Sequence, residues 1–215
     1  MTKIEFFHDA VCGWCYLLSP RLRRIATKYQ IEIEHRSFVL QRTRAEMVAR
    51  FGSMESAKTE ILNHWQQCKE QSETPEKINI QGMRRAQFEY PSGLNAALAA
   101  KAVEAIAGHQ AHWDFFDAVQ NTHLQLNQNI ADINVLLALA EGLGISTTTL
   151  FELMFSQRIQ DAVSADNVRA RQFHIRSIPS LLINGTQVVS QTLTEPMLEK
   201  LFSDLSIKTL EETTS

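Results

Sequence analysis

Hydrophobic and polar positions alternate with one period at the two ends of the chain and with another in between. Residues 3–8 form a short segment with adjacent Phe6 and Phe7 that stops at His8-Asp9-Ala10, which predicts a strand entering a loop. Over residues 13–29, Trp14, Leu17, Leu18, Leu22 and Ile25 recur at helical spacing. Arg21, Arg23, Arg24 and Lys28 lie between them, weighted toward the C-terminal end where the helix dipole favours cations. Pro20 falls inside this helix and predicts a kink. Ile31-Glu32-Ile33-Glu34-His35 has period two and reads as a second strand, so the chain opens strand–helix–strand.

From 41 to 173 nearly every window is helical. The pattern predicts helices over 44–51, 54–68, 94–107, 112–123, 133–143, 148–155 and 158–173. Breakers separate them at Pro75, Pro91-Ser92-Gly93, Gly108 and Gly142-Leu143-Gly144, and Ser92, Asp132 and Ser146 stand where N-caps belong. Beyond Ile178-Pro179, Leu181-Leu182-Ile183 and Thr186-Gln187-Val188-Val189 flank Asn184-Gly185, the signature of a type I′ hairpin. A last helix follows over 194–205 with Pro196 in its first turn, and the polar tail 208–215 is expected to fray. The order is β-α-β, a long helical block, then β-β-α, with no internal repeat. An α/β domain built from 1–40 and 174–215, carrying an all-helical insertion over 41–173, fits that order.

Composition narrows the function classes. Hydrophobic residues are 44% and charged residues 21% of 215, an ordinary globular balance that argues against disorder. A formal charge of -3 lacks the basic footprint of a non-specific nucleic-acid binder. No apolar run approaches the ~18–20 residues of a membrane span. Glu5 and His8 also interrupt the stretch a secretory leader would need. These features predict a soluble, cytoplasmic chain. Its three cysteines, Cys12, Cys15 and Cys68, are too few for a disulfide scaffold.

Cys12 and Cys15 form a C-x-x-C pair that directly follows a predicted strand and opens a predicted helix. At a helix N-terminus, unpaired N–H groups and the positive dipole end stabilise a thiolate. Two intervening residues leave the second sulfur one turn away, close enough to displace a partner from a mixed disulfide on the first.

The stretch Glu5-Phe6-Phe7-His8-Asp9-Ala10-Val11-Cys12-Gly13-Trp14-Cys15-Tyr16 resembles the active-site segment of the DsbA-like thioredoxin superfamily. It is most similar to the FrnE-like branch, whose members read D-x-x-C-P-W-C-Y. Ser177-Ile178-Pro179-Ser180 before a hairpin resembles the cis-proline loop of thioredoxin folds, and Pro20 their helix-kinking proline. The resemblance implies a thioredoxin-like fold with a helical insertion and a dithiol–disulfide oxidoreductase or isomerase without a cofactor. It implies Cys12 as the attacking thiol and Cys15 as the resolving one, with Gly13 and Trp14 as the tuning spacer. Pro179 would face the pair, and the backbone of Ile178 would bind an incoming peptide as a short strand. The implied partner is a protein or small-molecule disulfide, with glutathione as a candidate. Gly13 departs from the branch, which carries proline there. Glu5 is open to two readings: inward, it would shuttle the proton of Cys15; outward, it is a surface charge. The related kappa glutathione transferase and hydroxychromene carboxylate isomerase branch places serine at the nucleophile, so two cysteines argue against its glutathione-dependent chemistry. A non-catalytic peptide-binding module is the remaining alternative.

The other polar features carry plainer readings. His64 and Cys68 share a helix face and formally complete a Cys3His set with the pair, but their long separation and the thioredoxin-like context favour no metal site. His8 and Asp9 stand near Cys12 as candidates to tune it, with loop capping as the simpler role. His109 and His112 read as capping residues after Gly108. Arg21, Arg23 and Arg24 read as a solvated face, and Trp113, Phe115 and Phe116 as helix core.

Overall fold

The computed structural model describes residues 2–213. A strand Ile4–His8 (β1), a helix Gly13–Tyr29 (α1) and a strand Ile33–Ser37 (β2) open the fold. Five helices follow: Arg44–Phe51 (α2), Met54–Glu70 (α3), Ile80–Arg85 (α4), Leu94–Leu124 (α5) and Ile133–Gly142 (α6), with a 3-10 turn at Pro75–Lys77. Thr147–Met154 (α7) and Gln157–Gln172 (α8) lead to strands Ser180–Ile183 (β3) and Gln187–Val189 (β4), and Glu195–Thr213 (α9) ends the chain. The strands form one mixed sheet in the order β2-β1-β3-β4. β1 runs parallel to β2 and antiparallel to β3, which pairs antiparallel with β4. A mixed four-stranded sheet broken by a helical block is the α/β arrangement that the pattern predicted and the thioredoxin-like fold that the resemblance implied.

Strand pleat assigns the two faces of β1. Ile4 and Phe6, with their register partners Ile183 and Leu181, join the large core that also takes Leu18 and Leu22 of α1 and Leu198 and Phe202 of α9. Phe7 points the other way and clusters with Leu182, Ala170 of α8 and Ile175. Both faces of the central strand are therefore covered, which is why its five residues are all buried.

Most predicted elements appear within two residues of their expected ends, and the exceptions have local causes. Gly108 does not separate two helices. Its φ of 86° and ψ of -179° put a one-residue kink inside α5. His109 and His112 therefore do not cap a helix start: His109 is exposed beside Glu104, and His112 is wholly buried. Ser92 is displaced by Gly93 as the boundary residue of α5, while Asp132 and Ser146 do cap α6 and α7. α4 went unseen because six residues hold too few turns to show a period. The last helix, expected to stop near residue 205, continues to Thr213; residues 214 and 215 of the predicted tail lie outside the described residues. Asn184 and Gly185 take φ of 50° and 65°, as the predicted hairpin turn requires. Arg21, Arg23 and Arg24 are not a free solvated face. They bind Glu73, the Asp114–Asp117 pair and Glu195, tying α1 to its neighbours. Trp113, Phe115 and Phe116 are core, as their spacing suggested.

Candidate active site

The C-terminal end of β1 delivers the chain to the start of α1 through a loop whose backbone groups are individually held. Cys12 N donates to Asp9 O at 3.1 Å, which folds the turn. The carbonyl of Val11 accepts from Tyr90 Oη at 3.2 Å, and Gln120 Nε2 donates to Cys12 O at 3.1 Å. The Asp9 carboxylate accepts from the N–H groups of Val11 at 3.3 Å and Leu40 at 2.9 Å. A Cβ at Gly93 would stand 1.8 Å from Asp9 Oδ1, so only glycine at the head of α5 leaves room for that carboxylate.

Cys12 is the N-cap of α1. Its sulfur accepts from Cys15 N at 3.3 Å, and its thiol points to the carbonyl of Ile178 at 3.8 Å. The peptide bond between Ile178 and Pro179 is cis, and the Ile178 carbonyl of that loop faces the Cys12 sulfur. Both cysteines are thiols. Cys15 is fully buried; burial first, and then the Cys12 sulfur, push its thiol well above the usual range. Cys12 is slightly exposed and opens on a cavity of about 370 Å³ with Gly13, Trp14, Arg50, His64, Arg176 and Ile178 on its walls. A thiol that reaches the cavity with a buried thiol beside it is an arrangement that disulfide exchange can use.

The residues expected around the pair fall into three places. Trp14, Gly13, Cys12 and Ile178 come together at the cavity, with Cys15 buried beside Cys12 and Pro179 joined to Ile178 through the cis bond. Glu5 does not. It is buried, so it is no surface charge, but it points to the face covered by α8, where Arg36 donates at 2.7 Å and Arg169 makes two hydrogen bonds. Burial opposes its charge, yet the two guanidinium groups outweigh that and hold its carboxyl below the usual range. Such a carboxylate is a strut, not a proton carrier for Cys15. His8 is equally remote in its bonding: its Nε2 meets His35 Nδ1 at 2.9 Å inside the core, so it neither tunes Cys12 nor caps the loop.

Asp9 holds the loop role that was weighed for it beside His8. It caps the loop, and burial lifts its carboxyl to about 6 despite the N–H groups of Leu40, Val11 and Ala10. Its charge also acts on Cys15, raising that thiol further. Sequence inspection placed Asp9 at the loop but missed Gln120 and Tyr90, which arrive from the helical block; Gly93, standing at a helix head without a turn to explain it, was the available signal. Cys68 and Trp65 lie together over the spacer. A Cβ on Gly13 would approach Cys68 Sγ to 2.9 Å. His64, Cys68 and Cys12 share the cavity, but they do not converge as metal ligands. Among the described residues only His8, His35 and His112 do.

A model of the DSBA-like thioredoxin domain matches residues 3–202. The chain belongs to that family. Members of the DSBA-like family are thiol–disulfide oxidoreductases in the broad sense, and this chain has the family's cysteine pair. Similar folds include a protein described as a putative disulfide isomerase from Nitrosomonas europaea, at TM-score 0.77 and 18% identity, covering 97% of this chain and 98% of that one. The cytosolic disulfide reductase DsbM from Pseudomonas aeruginosa matches at TM-score 0.76 and 17% identity over 95% and 99% of the two chains. A 2-hydroxychromene-2-carboxylate isomerase matches at TM-score 0.64 and 16% identity over 97% and 98%. A search of curated proteins by sequence gives no match. Among the described residues, no helix is long and apolar enough to cross a membrane.

Proposed function

We propose that this DSBA-like chain exchanges electrons between a disulfide substrate and its own Cys12–Cys15 pair. The observation that carries the reading is the Cys12 thiol at the head of α1, set against Ile178 O and backed by buried Cys15. The Cys12 thiolate attacks one sulfur of a substrate disulfide; that S–S bond breaks as the mixed disulfide forms, and the leaving thiolate takes a proton. Cys15 gives up its proton, attacks the Cys12 sulfur and releases the second substrate thiol, leaving the pair oxidised and the substrate reduced by two electrons. A dithiol or two molecules of glutathione restore the pair. In a reducing, cytoplasmic setting the reductive or isomerising direction prevails.

Substrate binding falls to the cavity and the cis-proline loop. The backbone of Ile178 pairs with an extended peptide, Pro179 has no N–H to compete for it, and Gly13 and Trp14 set the reactivity of Cys12. Arg50 and Arg176 offer cations to the carboxylates of a glutathione-sized disulfide. A structure of DsbM with glutathione matches this fold at TM-score 0.72, which supports a small thiol as one partner.

The test is disulfide reduction by the wild type, Cys12→Ser and Cys15→Ser. Cys12→Ser must be inactive, and Cys15→Ser must accumulate a mixed disulfide visible as added mass. Full activity in Cys12→Ser refutes the assignment. The glutathione-dependent isomerase reading, which the third fold likeness supports, requires instead that isomerisation survive Cys15→Ser. Peptide capture untouched by both substitutions, with no turnover, would mark a binding module.

A further inference from the structure

The core holds three imidazoles in mutual contact beneath the Cys12 loop. His8 ends β1, His35 lies on β2 and His112 on α5, and all three are buried, at 4%, 0% and 0% exposure. One ring nitrogen from each lies within 4.8 Å of the other two. The His8 and His35 nitrogens are 2.9 Å apart, and the rings of His35 and His112 have centroids 4.7 Å apart. Packing of apolar rings does not explain the arrangement, because Nε2 of His35 and both ring nitrogens of His112 are buried without any hydrogen-bond partner. An orphaned polar atom in a core is costly, and three in one cluster require a reason.

The surroundings resemble what metal-bound histidines have. Nδ1 of His112 lies 2.7 Å from Glu104 Oε2, an ion-pair distance outside hydrogen-bond geometry, so a carboxylate stands beside the ring as it does beside many metal-bound imidazoles. Glu104 and His112 are eight residues apart on α5, about 12 Å in a straight helix; the Gly108 kink interrupts the helix between them. Lys101 Nζ stands near and would oppose a cation, but it is already paired with Glu104 at 3.2 Å and Asp166 at 3.1 Å. Burial disfavours the charged form of all three rings.

We propose that His8, His35 and His112 form a binding site for a late first-row divalent metal ion, with Glu104 as the carboxylate that orients His112. Metal–nitrogen bonds of about 2.0–2.1 Å in tetrahedral geometry need nitrogens about 3.4 Å apart. The 2.9 Å pair must open slightly and the wider ones close, which side-chain rotation can supply. The ion ties β1, β2 and α5 together and leaves its fourth position to water. It enters during folding, since no ring is open to solvent. This site departs from the sequence-based expectation of a chain without a metal, which set aside His64 and Cys68 with the cysteine pair, and His109 with His112.

The test uses the full chain with Cys12 and Cys15 joined as a disulfide, so that their sulfurs cannot compete. It is unfolded, refolded with one equivalent of cobalt(II) and passed through a desalting column. The expected result is one cobalt per chain with visible d–d absorption and no thiolate-to-cobalt charge transfer. His35→Gln and His112→Gln should retain only background cobalt, His64→Gln should retain it all, and Glu104→Gln should bind about 10–100-fold more weakly. Failure of the wild type to retain cobalt, or retention with a sulfur signature, overturns the proposal. So does full retention by both His35→Gln and His112→Gln. Should those variants not fold, ring ¹⁵N shifts of the wild type refolded with zinc decide: His8, His35 and His112 must all move on loading, and unmoved rings refute the site.

Discussion

Asp9→Asn isolates the electrostatic burden carried under the cysteine pair. The Asp9 carboxyl titrates at about 6 in the fold against 3.8 in its ordinary state, because burial outweighs the N–H groups of Leu40, Val11 and Ala10. Between those values the unfolded chain has released the proton while the folded chain still holds it. Raising pH therefore favours the unfolded state, and the loss is complete once pH exceeds the folded value. The gap corresponds to about 3 kcal/mol at neutral pH. Asparagine is uncharged throughout but offers one oxygen where two N–H groups now bind, a penalty of about 1–3 kcal/mol that does not vary with pH. Urea unfolding of both proteins, stepped from pH 3 to 8, separates the two effects. The three buried histidines destabilise both proteins alike as pH falls, so their contribution cancels in the difference. Wild type minus variant should decline by about 3 kcal/mol across the window, most steeply between pH 4 and 6. A flat difference would refute the raised carboxyl.

Two further outcomes test the packing around the site. Gly13→Ala should cost about 1–3 kcal/mol in urea unfolding, because its methyl meets Cys68 Sγ at 2.9 Å, and Cys68→Ala should return most of that loss; strictly additive values would contradict the contact. Glu5→Gln leaves Arg36 and Arg169 without their shared partner and should destabilise by about 2–3 kcal/mol, discounted for the partly exposed guanidinium groups, while reductase activity per folded molecule stays unchanged. A fall in that activity would return Glu5 to the proton pathway.

The sequence revealed the parts of the site that are local. A cysteine pair after a strand, the Ile-Pro-Ser step and the Asn-Gly turn each act over a few residues, and each appears where its pattern placed it. What stayed hidden depends on distant partners. Period two shows that Glu5 and Phe7 share a face of β1, but Arg169, 164 residues away, decides which face that is. The meeting of His8 and His35 needs the parallel register of β1 and β2, in which Phe6 is level with His35. Gly108 reads as a helix boundary because a single left-handed glycine and a chain break look alike in one dimension.

The loop that presents Cys12 is held largely by side chains that do not belong to the sheet. Tyr90 grips Val11, Gln120 grips Cys12 and Cys68 lies over Gly13, and all three come from the chain between β2 and β3. The helical block is therefore the inner wall of the site, not a cap set upon a finished one. Cutting it away to leave a minimal sheet domain would free the backbone carbonyls of the very turn that carries the thiol. Grafting a different insertion would require a new tyrosine, a new glutamine and a residue at position 68 shaped to the spacer. The dipeptide between the cysteines and helix α3 can then vary only as a pair, so exchanging Gly13-Trp14 for another spacer changes two structural units at once.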